Sequence, residues 1–170
     1  MPHVNIQRSV EFPSALFETA LESILEAVAA QQGPWRDFAL HLNLDDLGLP
    51  DVGHIAVPIH LTSKKEDVVA AAQQQIAVRI EAARHPESFP VFTGALGVNA
   101  TNASRSTVWF DGTYEVPLNA FGEFIDAIGL RGKAEKALNN FLDDIITGCD
   151  ARINKSEQDF MRYQLLWRGK

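Results

Sequence analysis

The chain is poor in the residues and patterns that most often announce a chemistry. Of its 170 residues only one is cysteine, Cys149, which excludes intrachain disulfides and any cysteine cage for zinc or an iron–sulfur cluster. Apolar runs stop far short of the ~20 residues that span a bilayer, and the opening MPHVNIQRSV has no apolar signal-peptide core. No Lys/Arg cluster offsets the balance of 15 basic against 22 acidic side chains, and a net charge of −7 repels polyphosphate and anionic lipid at long range. A G-x-S-x-G elbow, a phosphate-binding loop and a dinucleotide-binding glycine fingerprint are all missing. These absences predict a cytoplasmic protein that binds no nucleic acid, inserts into no membrane and carries no metal or other cofactor.

What is present suits one soluble domain, with 46% hydrophobic and 22% charged residues. Val4, Ile6 and residues 9–12 predict a first strand, ended by Pro13. Ser14 suits a helix N-cap and Glu18 the first turn, and Phe17, Leu21, Ile24, Leu25 and Val28 recur at helical spacing up to Gln31, before Gly33 and Pro34. Strict alternation follows in Phe38, Leu40, Leu42 and Leu44, then in Ile55, Val57, Ile59 and Leu61, where Pro58 marks an edge or a bulge. Residues 63–75 read equally well as a short helix or a hairpin arm. Ile76, Val78, Ile80 and Ala82 alternate again, and further strands are predicted over 89–100 and 107–116. From Phe121 the period switches to 3.6, giving one long helix to about Gly148, in which Gly129 and Gly132 predict a kink or break. Residues 151–170 form an extension or tail after a domain over 1–150. The order predicts an α+β fold in which a curved antiparallel sheet grips a long C-terminal helix.

This order, with FPVFTGALGV at 89–98 and FDGTYEVPL at 110–118 leading into the last helix, resembles the START-like (SRPBCC) helix-grip superfamily, which includes the polyketide cyclases and Bet v 1-type proteins. The resemblance covers nearly all of residues 1–150. It implies a small hydrophobic ligand, lipid-like or polyketide-like, held between sheet and helix. It fixes no reaction, because one fold hosts many functions.

The side chains predicted to line such a cavity are Phe38, Leu40, Leu42, Val57, Ile59, Val78, Ile80, Phe92, Phe110, Tyr114, Phe124, Ile128 and Leu138. Tight packing of the same residues into a filled core is the competing reading. Tyr114 brings a hydroxyl that needs a partner when buried, from the backbone or from a ligand. No catalytic residue is assigned. An enzyme of the cyclase or dehydratase kind would need Arg79, Glu81 or Tyr114 turned inward, whereas alternation puts Arg79 and Glu81 on the face opposite Ile80. His41 and His60 fall short of a metal site for want of further ligands. A third reading makes the chain an interaction module, with Phe160, Tyr163 and Trp167 of the tail or a sheet edge docking a partner or a second subunit in a homodimer.

Overall fold

The structure, a computed structural model, describes residues 1–35, 38–43, 54–68, 73–84, 90–115 and 127–168. In chain order these form β1 (His3–Val10), α1 (Ser14–Ala29), a single 3-10 turn (Gly33–Trp35), β2 (Ala39–Asn43), β3 (His54–Val68), β4 (Gln73–Ala82), β5 (Val91–Ala100), β6 (Ser106–Glu115) and α2 (Ala127–Arg168). The six strands make one antiparallel sheet in the order β1-β6-β5-β4-β3-β2, so that β1 and β2 are its edges. With α2 against one face, this is the helix-grip arrangement.

Period-two alternation creates the two faces. Val4, Ile6 and Val10 of β1 point to the same side as Val108, Phe110 and Tyr114 of β6, and all are buried. The face continues through Phe92, Leu96 and Val98 of β5 and Ile76, Val78 and Ile80 of β4 to Val57, Ile59 and Leu61 of β3. A slip of one residue in any pairing would turn that strand's apolar set toward water, so the shared face fixes the register. The ambiguous stretch 63–75 is a hairpin arm as far as it is described, since β3 runs on to Val68 and β4 resumes at Gln73, opposite it. Pro58 stands at the junction where β3 ends its pairing with β2 and begins its pairing with β4, and its carbonyl accepts the Ala83 amide at 2.8 Å. A residue without an N–H fits at such a handover.

The first helix begins differently from the sequence expectation. Pro13, with φ −57° and ψ 143°, occupies the cap position, and Ser14 is the first helical residue with no side-chain cap bond. The fixed φ of proline presets the entry, and the Pro13 carbonyl accepts the Phe17 amide at 3.1 Å. The helix ends in a Schellman motif: the Gln32 amide reaches the Ala27 carbonyl at 3.0 Å, while Gln31 adopts φ 51°.

The last helix is longer than the periodicity predicts. Its described part starts at Ala127, is unbroken at Gly129 and Gly132, and continues through the predicted tail to Arg168, about 63 Å at 1.5 Å per residue. Leu138, Phe141, Leu142, Ile145, Cys149 and Ile153 form the stripe buried against the sheet and α1. The helical glycine that matters lies later. Gly148 lets the Trp35 ring come close to the helix backbone, and Trp35, Phe38 and Phe141 continue as an aromatic ladder with centroids 5.4 and 5.8 Å apart. The 3-10 turn and the start of β2 are thereby pinned to α2.

The two glycines should respond oppositely to alanine. Gly132 has open space where a Cβ would go, so Gly132→Ala is expected to stabilise the fold by about 0.8–1.0 kcal/mol. At Gly148 the same atom would sit 2.6 Å from Trp35 Cζ2, so Gly148→Ala is expected to cost about 1–3 kcal/mol despite its helix propensity. Urea melts of the two variants check both signs.

Candidate functional site

The predicted lining residues whose side chains are described belong to one buried cluster of sheet and helix residues. Val57, Ile59, Val78, Ile80, Phe92, Phe110, Tyr114 and Leu138 are buried, and Phe38 is half-buried against the same cluster. Leu40 and Leu42 lie in β2 and Ile128 in the first turn of α2, with side chains outside the described part, and Phe124 lies outside the described residues altogether.

Register explains how the aromatic members meet. Phe92 stands opposite Tyr114 and Leu96 opposite Phe110, and between these two pairs Gly94 faces Gly112. At that level neither strand projects a side chain, and the backbones approach closely: a Cβ on Gly112 would lie 2.5 Å from the Thr93 carbonyl oxygen. The Phe110 ring leans across the gap, its Cζ 2.9 Å from the Cβ position of each glycine. Next to it the Phe92 and Tyr114 rings pack at 5.9 Å with a 46° tilt. Tyr114 is only 1% exposed, so its hydroxyl is carried into an otherwise apolar wall. The pairing of the two glycines is a feature that the sequence reading missed. Its signal was available, because both glycines interrupt strands at inward positions.

The titratable groups sort mostly to the outside. Arg79 and Glu81 share the outer face and pair with each other at 3.0 Å, half exposed. His41 is opposite Ala56 in the β2–β3 register, four residues along from His60, so the two histidines are not brought together. Among the described residues no group of three or more His, Cys, Asp or Glu side chains could hold a metal ion. Asp111 accepts hydrogen bonds from Asn5 (2.8 Å) and His3 (2.9 Å) on the outer face, and these two contacts hold its carboxyl below the usual range. Burial pushes the Cys149 thiol up to about 12, which leaves no thiolate for chemistry.

Glu18 is the exception among the carboxylates. It borders a narrow cleft with Leu21, Ile76, Leu96 and Val98, between α1 and the sheet. Desolvation there raises its pKa, the neighbouring Glu22 adds to the rise, and Lys65, paired with Glu22 at 2.8 Å, opposes it. A carboxyl whose pKa is higher folded than unfolded favours the fold when protonated and weakens it once ionised, so this contribution is lost as pH climbs past about 4.5. Glu18→Gln is therefore expected to be more stable than the parent at pH 7, with the difference vanishing in acid, as thermal melts over a pH series would show.

A separate recess of about 380 Å³ lies between β1 and α2, lined by His3, Val4, Asn5, Ile6, Gln7, Arg8, Glu135 and Asn139. None of the predicted lining residues whose side chains are described borders it. Arg8 spans its end, donating from Nε to Asp143 at 2.8 Å and from Nη2 to Asn139 at 2.7 Å. The Asn139 amide in turn donates to the Glu135 carbonyl at 2.8 Å.

Comparison with known proteins bears on the fold. A conserved protein from Geobacillus kaustophilus has a similar structure, with a TM-score of 0.54 and 13% identity over 91% of this chain and 97% of that one. A protein from Thermus thermophilus gives a TM-score of 0.44 at 14% identity over 91% and 99% of the two chains. The Zhui aromatase/cyclase from a Streptomyces species gives 0.42 at 12% identity over 89% and 95%. No family model and no curated protein sequence matches the chain.

Proposed function

We propose that the chain binds a small apolar or amphipathic molecule between the inner face of the sheet and α2. The observation that carries this reading is the arrangement at the Gly94–Gly112 pair, where the wall is one side chain thinner and is flanked by Phe92, Phe110 and the buried hydroxyl of Tyr114. A planar or chain-like guest would gain roughly 25 cal/mol for each Å² of apolar surface it buries there. The Tyr114 hydroxyl in this wall sets orientation, because a guest that bonds it is favoured over an isostere that cannot.

An enzymatic reading of the same site has Tyr114 as its remaining polar group, Arg79 and Glu81 being on the outer face. A net charge of −7 and the lack of any described helix long and apolar enough to cross a membrane agree with a small-molecule guest.

Titration with naphthalene and 1-naphthol, followed by native mass spectrometry and calorimetry, tests the reading. The parent protein is expected to bind both saturably and to prefer 1-naphthol by about 2- to 12-fold, the net worth of one hydrogen bond. Tyr114→Phe is expected to abolish the preference while keeping the affinity for naphthalene. Failure of both probes to bind the folded protein, or a preference that survives in Tyr114→Phe, overturns it.

A further inference from the structure

We propose that the recess between β1 and α2 is a docking groove for an extended peptide of a partner protein, which joins the sheet as a further strand on the edge of β1 that no described strand pairs with. The hydrogen-bond phase of β1 sets this up. The Tyr114 amide donates to the Pro2 carbonyl at 3.2 Å, and the register runs unbroken from His3 opposite Thr113 to Val10 opposite Ser106. In an antiparallel ladder bonded and non-bonded pairs alternate, so Val4, Ile6 and Arg8 turn their backbone groups toward β6. His3, Asn5 and Gln7 turn theirs the other way, into the recess, where Glu135 and Asn139 of α2 form the opposite wall.

The neighbouring side chains keep that edge clear. His3 and Asn5 are drawn over the outer face by their bonds to Asp111. Arg8 closes one end, because its Nη1 donates to the Gln7 carbonyl at 3.1 Å while its other nitrogens reach Asp143 and Asn139. Left facing the groove are the amide and carbonyl of His3 and of Asn5 and the amide of Gln7, and no described residue pairs with them. From His3 to Gln7 the edge spans about 14 Å at the strand rise, the length of four or five extended residues.

A polar lining of consecutive backbone groups fits another main chain better than it fits an apolar guest. Strand addition takes its affinity from the ladder, with the facing helix reading alternate side chains. The net charge of −7 favours the approach of a cationic segment.

The test uses the full-length chain, ¹⁵N-labelled, and the capped hexapeptide acetyl-Lys-Thr-Val-Thr-Val-Lys-amide. Saturable shifts are expected at the amides of His3, Asn5, Gln7 and Asn139, with hydrogen exchange at the first three slowed at least about tenfold at saturation. The same peptide with its internal amides N-methylated should have no effect. Asn139→Trp should narrow the groove and weaken binding about tenfold, and Glu135→Trp serves if that variant does not fold. Four results overturn the proposal: no shifts, equal binding of the N-methylated peptide, shifts confined to the inner face at Val78 and Ile80, or protection of the edge amides without peptide in a concentration-dependent dimer. Because 1-naphthol is not expected to compete with the peptide, this proposal and the small-molecule reading can fail separately.

Discussion

The structure depends on one constraint, that the apolar residues of β1, β6, β5, β4 and β3 all present the same face in a single continuous register. Only that agreement gives α2 a surface wide enough to bury its stripe from Leu138 to Ile153. Each fully buried aliphatic or aromatic side chain contributes roughly 1.5–3 kcal/mol before ordering costs, so the gain is spread over the whole seam. The aromatic ladder from Trp35 through Phe38 to Phe141 extends the seam beyond the central strands, toward the β2 edge.

Much of this was legible in the sequence because period-two and period-3.6 patterns are written in residue type. Ile76, Val78 and Ile80 declared one face of β4, while Arg79 and Glu81 declared the other, and both are where alternation put them. Boundaries were less legible. Ser14 looks like a cap by composition, yet the ring of Pro13 fixes the entry geometry one residue earlier. The stretch after Ser63 combined helix-forming alanines with β-branched valines, and its pairing across the hairpin, a non-local contact, decided for strand as far as Val68.

The glycines show why local rules ran out. Gly129 and Gly132 were expected to kink or break α2, but the helix runs on through both, so their propensity cost does not end it. Gly94, Gly112 and Gly148 do more, and what they do depends on partners distant in sequence: another glycine across a strand pair, or a tryptophan from the 3-10 turn. The recess beside β1 was invisible for a related reason. Its lining joins β1 to residues of α2 far along the chain, and the outward phase of His3, Asn5 and Gln7 follows from the Tyr114–Pro2 hydrogen bond and not from any side chain.

Cys149 sits at the centre of the α2 stripe with no exposure to solvent, and its thiol is held protonated by that burial. Alkylation of this sulfur therefore requires the helix to lift from the sheet, and the labelling rate becomes a clock for that opening. A guest seated under α2 would slow the clock, so one atom reports when that face of the helix is engaged.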